Sequence, residues 1–342
     1  MVKKTLLFSF VLAPLLALIL IATHVTILMN DRYEGETITF TVHNGDTFGK
    51  VNQRLYDQKV INNTRIFHYL AKYKKVMTKL RAGDFTIKSG SNMMDVLNTL
   101  IYGQPNLKVF TIPEGKNMFE IAKIVAAQGI TSEEEFILAA RDTTLLTEMD
   151  VPGESVEGYL FPETYHFAPN SKATTVVREM VGQFNKKVQG IDFNHPFLNK
   201  HEVIILASMV EKETGAKFER PTIAGVFTNR LKKKMRLQSD PTTIYGIWER
   251  YDGNIRKKDL LEHTPYNTYK VPALPQGPIA NPSLEAIQAV LNPEEHKFLY
   301  FVSKNDGTHV FSETYKDHNQ AVTDFQKNSK ARAGKSWREL KQ

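Results

Sequence analysis

An α+β fold is expected for this chain of 342 residues: an N-terminal transmembrane helix, a small region of strand-turn-helix units and a larger mixed α+β domain. Three observations predict it. An apolar run occupies the N-terminus, a strand-turn-helix pattern recurs between residues 36 and 130, and longer helices with motif-dense loops follow from about residue 133. The expected divisions are 1–30 for the cytoplasmic N-terminus and spanning helix, 31–110 for the small region, and 111–342 for the larger domain with a basic C-terminal tail.

Met1-Val2-Lys3-Lys4 is a short basic head before an almost unbroken apolar run from Thr5 to Met29. As a helix this run is long enough to cross a hydrocarbon core of ~30 Å. Lysines before it and the mixed-sign stretch Asp31-Arg32-Tyr33-Glu34 after it place the N-terminus in the cytoplasm and the rest of the chain outside. A cleaved signal peptide is the rival reading. It would have a shorter apolar core and a small-x-small cleavage site, and no good Ala-x-Ala pattern closes this run. His24, near the outer end, is expected at the membrane interface.

About 310 residues remain after the anchor, enough for one large domain or a small and a medium one. The chain has no cysteine, which excludes disulfides, thiol catalysis and cysteine-ligated zinc. A net charge of +7 suits a neighbour such as anionic lipid or an acidic polymer, and Lys327, Lys330, Arg332, Lys335 and Arg338 concentrate part of it in the tail. A solvated tail is the plainer reading of those residues. Nucleic acid is not an expected partner, because the topology keeps the bulk of the chain outside the cytoplasm.

The segments VHNGDTFGKVN (42–52), IKSGSNMMDVL (87–97) and IPEGKNMFEIA (112–122) share an apolar opener, a glycine three residues on and a helix start. Gly45, Gly90 and Gly115 are expected to supply the turns, and Thr47, Asn92 and Asn117 to cap or open the helices. The first of these segments resembles the LysM module, a small βααβ unit that binds N-acetylated glycan chains; a packing or spacer role is the alternative. Beyond them, Ser132 before Glu133-Glu134-Glu135 reads as an N-cap with an acidic first turn. Residues 157–165, EGYLFPETY, gather aromatics, two acids and a proline. Glu157, Tyr159, Glu163 and Tyr165 are therefore candidates to line a sugar cleft, against a loop cap with buried rings.

The stretch 201–220, HEVIILASMVEKETGAKFER, reads as a helix ended by Gly215. At ~100° per residue, Leu206, Met209 and Val210 form an apolar stripe with Glu213 in its middle, and Glu211 points to nearly the opposite side. Burial would raise the pKa of Glu213 and keep it protonated at neutral pH, as a general acid requires; Glu211 is expected to be wetter and ionised. The alternative for Glu213 is a buried acid paired with Arg220 or Arg230. Downstream, Gln238, Ser239, Asp240, Thr242 and Tyr245 in one motif and Tyr266, Asn267 and Tyr269 in another are candidate cleft residues. Their plain readings are an Asp-Pro turn with a serine cap and a structural aromatic corner. Lys232-Lys233-Lys234 reads as a solvated helix end. The ten histidines show no tight ligand spacing, so no metal site is expected.

Taken together, EGYLFPETY, ASMVEKET, the run from Asn229-Arg230-Leu231 through LQSDPTTIYG, YNTY (266–269) and LPQGPIANP (274–282) resemble the endolytic murein transglycosylases of the YceG-like family, in order and over nearly the whole chain. Gln276 stands where a second proline is usual, and Asn305-Asp306-Gly307-Thr308-His309 where a glycine pair before the histidine is common.

The resemblance implies cleavage of the MurNAc-GlcNAc β-1,4 bond inside glycan strands without water, leaving 1,6-anhydro-MurNAc ends. Glu213 matches the family's essential glutamate. It would protonate the departing oxygen and then, as carboxylate, take the proton of the sugar's own C6 hydroxyl as that closes on C1. No cofactor is implied. Glu157, Glu163 and Asp240 are the candidates for a second carboxylate that stabilises the oxocarbenium-like centre. The implied partners are peptidoglycan strands and the cell (inner) membrane, crossed once, with cell-wall synthases as candidate protein partners. A muramidase-type hydrolase and a non-catalytic glycan-binding scaffold are the competing readings.

Overall fold

A computed structural model describes residues 2–43 and 45–327. Of the basic tail, Lys330, Arg332, Lys335 and Arg338 lie outside the described residues. The described chain is a mixed α+β protein whose strands pair into three two-stranded sheets, and it divides into two compact units.

The first unit comprises residues 1–109 with the short returns 128–131 and 166–172. Helix α1 (Val2–Asn30) contains one stretch, Leu12–Asn30, long and apolar enough to cross a membrane. Beyond it, β1 (Ile38–Val42), α2 (Phe48–Asp57), α3 (Thr64–Tyr73) and β2 (Gly83–Ile87) follow in βααβ order, and α4 (Met93–Tyr102) completes the unit. The two strands are antiparallel, with Phe40 opposite Phe85. Their inward residues meet Val51, Leu55, Phe67, Val96 and Leu100 in one core, the burial expected of period-2 strands beneath amphipathic helices.

The caps form as the residue types dictate. Thr47 opens α2, Asn63 opens α3, and Asn92 forms a capping box with Asp95 at α4. Gly45, Gly90 and Gly115 all have positive φ, at 82°, 80° and 73°, so the repeated glycine is a turn requirement.

The second unit holds, among the described residues, 110–127, 132–165 and 173–327. Strand β3 (Lys108–Thr111), whose last two residues fall in this unit, pairs with β4 (Thr164–Phe167), whose first two do. Between them run α5 (Met118–Ala127), α6 (Glu133–Ala140) and α7 (Thr143–Glu148). Asn117 and Glu120 cap α5 reciprocally, and Ser132 and Glu135 do the same for α6.

Next come α8 (Ala173–Lys187), α9 (Lys200–Glu213), α10 (Arg220–Lys232), α11 (Asp240–Gly246), α12 (Lys257–Leu261) and α13 (Leu284–Leu291). The hairpin β5 (Tyr300–Ser303) and β6 (His309–Ser312) and then α14 (Tyr315–Val322) close the described part. Helix α9 packs on α10, α11 and α13, and every residue from Val203 to Val210 is buried. It is a core helix enclosed on all sides rather than the one-sided amphipathic helix its stripe suggests. Lys232, Lys233 and Lys234 are exposed at the end of α10.

Candidate active site

Glu213 is the last residue of α9. The helix stops two residues before the expected Gly215, because Thr214 is extended (φ −135°, ψ 140°). The Thr214 hydroxyl accepts the Ala216 amide at 2.9 Å. A 3-10 turn, Lys217–Glu219, then leads into α10. Glu219 is tied to the β5–β6 hairpin through the His309 amide and imidazole, so both flanks of the turn after Glu213 are held.

The half-buried Glu213 accepts a 2.5 Å hydrogen bond at Oε1 from the Ser239 hydroxyl. Burial pushes its pKa up to about 7. The Ser239 bond and the Arg230 guanidinium pull it down, and the nearby Asp240 charge raises it further. Among the described residues it has no ion-pair partner. Arg220 instead pairs with Glu211 at 2.7 Å, and Arg230 spends its donors on the carbonyls of Leu299, Leu237 and Arg236.

Glu211 overturns one expectation. Its side chain is only 5 % exposed, held by Arg220 and by the Ser283 amide and hydroxyl. The two glutamates therefore differ in partners rather than in wetness. Glu211 sits against a guanidinium, whereas Glu213 faces a neutral hydroxyl and keeps a pKa suited to proton transfer.

Ser239 is the N-cap residue of α11, yet its side chain makes no capping bond; its hydroxyl donates to Glu213 instead. A missing cap costs about 1 kcal/mol, so the local sequence preference is set aside at this position. Its backbone is fixed from the 266–269 motif. The Ser239 amide donates to Thr268 Oγ1, and Thr242 Oγ1 lies 2.8 Å from Thr268 Oγ1 and donates to the Ser239 carbonyl.

Asn267 is fully buried. It accepts from Thr243 and the Tyr269 amide and donates to the carbonyls of Leu260 and Glu262. The exposed Asp240 accepts the Tyr269 hydroxyl at 2.7 Å, and Gln238 is exposed with φ 52°. Thus Ser239, Asp240 and Tyr269 cluster around Glu213, and Thr242 and Asn267 lie beneath them as buried supports.

The 157–165 segment is elsewhere in its contacts. Glu157 is buried and accepts from the Met118 amide, the Tyr245 hydroxyl and Asn281 Nδ2, each at 2.9 Å. Burial pushes its pKa up to about 8, against the opposing pull of the Met118 amide and the Tyr245 hydroxyl. Gly158 must be glycine: at φ 86° a Cβ would meet Pro278 at 2.6 Å and Ile204 at 2.9 Å. Tyr159 is buried, its hydroxyl 2.8 Å from His201 Nδ1, and Tyr165 is buried, donating to the Phe161 carbonyl. Glu163 pairs with Lys187 at 2.7 Å. Tyr245 is buried against the half-buried Tyr266, ring centroids 4.8 Å apart.

None of the contacts found among the described residues carries Glu157, Tyr159, Glu163 or Tyr165 to Glu213. The sequence alone does not single out Thr268 or Asn281. Both lie inside the motifs at 266–269 and 274–282, where a short polar residue beside aromatics or prolines is the available signal.

An α+β chain with one apolar N-terminal helix and a desolvated carboxyl at a helix end is found here in a known class: the chain belongs to the YceG-like family, whose model matches residues 40–324. Among its relatives is an endolytic murein transglycosylase of Bacillus subtilis, 32 % identical over 303 residues, 83 % of this chain and 84 % of that protein. An endolytic murein transglycosylase of Streptococcus pneumoniae is 29 % identical over 320 residues, 84 % of this chain; the match spans 58 % of that longer protein. A crystal structure of a YceG-like protein from Listeria monocytogenes matches with a TM-score of 0.55 at 31 % identity, covering 83 % of this chain and 99 % of that one.

Proposed function

We propose that this protein is a membrane-anchored endolytic transglycosylase of peptidoglycan that cuts MurNAc-GlcNAc β-1,4 bonds within glycan strands and leaves 1,6-anhydro-MurNAc ends. The relatives named endolytic murein transglycosylases support the reaction class. The observation that carries the residue assignment is the Ser239 hydroxyl, which donates to a half-buried carboxyl whose pKa is near 7. Glu213 in this reading is first acid and then base, and Ser239 orients it.

Asp240 and Tyr269 border the substrate, while Gln238 and Tyr266 offer exposed or half-exposed contacts to sugar hydroxyls. The buried Glu157, Tyr159, Tyr165, Thr242, Tyr245 and Asn267 act by support rather than by touching sugar. Helix α1 supports single-pass anchoring with the N-terminus cytoplasmic and the rest extracytoplasmic, in the layer where cell-wall synthases also act. The βααβ order of the first unit supports a LysM-like, glycan-contacting role there.

Product mass tests the reaction. Full-length protein acting on isolated peptidoglycan is expected to give ends one water lighter than muramidase products; reducing MurNAc ends alone would overturn the lyase reading. The Asp240 carboxylate beside Glu213 is the observation that favours the hydrolytic alternative. No turnover at all would favour a glycan-binding scaffold.

A pH profile tests the acid. Activity that needs protonated Glu213 falls as pH rises through about 7. Asp240→Asn removes a neighbouring negative charge and should move that limb to lower pH. Ser239→Ala removes a bond to the charged form and should move it to higher pH. A limb that stays in place in both variants would show that another group titrates.

A further inference from the structure

We infer that the exposed face of α3 and the turn after it form a docking surface for the anionic headgroups of the bilayer that α1 enters. The inference rests on the anchoring role proposed for α1. Residues 65–81 carry six basic side chains, Arg65, Lys72, Lys74, Lys75, Lys79 and Arg81, and no acidic one. This run holds +6 of formal charge in a chain whose total is +7, and all six side chains are exposed.

Arg65, Tyr69, Lys72 and Tyr73 recur at helical spacing and share one face of α3, opposite the buried Phe67, Leu70 and Ala71. Tyr69 and Tyr73 are 66 % and 82 % exposed. Tyrosines with an apolar ring and a polar tip, set among lysines, match the chemistry of a membrane–water interface, where the ring sits at headgroup depth and the ammonium groups meet phosphate.

Position supports the same occupant. The rest of the first unit packs against the end of α1. Helices α3 and α4 both pack against α1, Met29 packs on the unit's core, and Asn62, just before α3, donates to the Leu28 carbonyl and to Asp31. A spanning α1 therefore delivers α3 to the headgroup layer, where a basic surface gains from the negative potential. Bound this way, the face fixes the orientation of the first unit on the membrane, beyond simple retention by the anchor.

The absence of native cysteine allows single-site labelling of the full chain. A nitroxide on Tyr73→Cys, in bilayers of phosphatidylcholine with or without phosphatidylglycerol, is expected to lose access to an aqueous nickel quencher only when the anionic lipid is present. It should regain that access near 1 M salt, where the screening length falls to ~3 Å. Lys74→Gln and Lys75→Gln should each lower the ratio of lipid-facing to aqueous label about fivefold. Equal access in neutral and anionic bilayers would overturn the inference, as would shielding that follows added glycan strands and ignores lipid.

A second label, on Leu20→Cys, separates the two readings. If it lies in hydrocarbon, the anchor stands and the label at 73 alone decides. If it is aqueous, the anchor fails and this inference fails with it.

Discussion

Glu213→Gln is expected to lower turnover on isolated peptidoglycan by about 10²–10⁴-fold, the usual worth of a positioned general acid. Glutamine keeps the volume and an acceptor for the Ser239 hydroxyl but has no proton to give and no carboxylate to receive one. The fold should not suffer. The folded pKa of about 7 lies above the ordinary 4.5, so between those values the folded state binds a proton that the unfolded state has released. The contribution of Glu213 to stability is therefore greatest below about 4.5 and declines as pH rises to about 7. The Gln variant escapes that decline, so its thermal midpoint relative to wild type should be higher at pH 8 than at pH 5. Unchanged turnover would remove Glu213 from the chemistry, and a lost fold at both pH values would make it a structural residue instead.

Glu157→Ala is expected to have the largest effect on stability. Its carboxyl group joins three distant parts of the second unit: the Met118 amide at the start of α5, the Tyr245 hydroxyl of α11 and the Asn281 side-chain amide. Truncation leaves the Met118 amide and the Tyr245 hydroxyl without an acceptor, at about 1–3 kcal/mol each, a large fraction of the ~5–15 kcal/mol that holds a domain folded, while Asn281 Nδ2 keeps only the Lys116 carbonyl. Denaturation of the full chain in detergent should show the loss. Glu157→Gln, which retains an acceptor oxygen, should lose less.

The pH sign follows that of Glu213 over a wider window. With the folded pKa pushed up to about 8, this group favours the folded state most below about 4.5 and progressively less as pH rises to 8. A Glu157→Ala protein as stable as wild type would show that water or a neighbour replaces the carboxylate at no cost.

These two acids also show how far the chain could be read before folding. The apolar run of α1, the strand-turn-glycine-cap pattern of Thr47, Asn92 and Asn117, and the Ser132 capping box were legible because each depends on residues within one turn of one another. That Glu213 and Glu211 would differ was legible in part. Helical geometry separates two residues at i and i+2, and so it announced that they would have different surroundings.

What those surroundings are was not legible. The wet site expected for Glu211 proved to be an ion pair with Arg220, buttressed by Ser283, which lies 72 residues away. The acids and aromatics of 157–165 suggested a cleft, and the folded chain gives Glu157, Tyr159 and Tyr165 to the interior. Their polar atoms are satisfied there by partners that composition alone does not name.

By itself, then, the sequence determined the apolar helix at the N-terminus, the α+β alternation, the caps and turns, and the order of motifs that marks the family. Only the tertiary structure decided which carboxyl meets a guanidinium and which meets a serine hydroxyl. The physical reason is range. Helix periods and caps are set by neighbours along the chain, whereas a pKa is set by desolvation and by charges brought from remote segments. For Glu213 those are Ser239, Asp240 and Arg230, which reach it only once α9, α10 and α11 have packed.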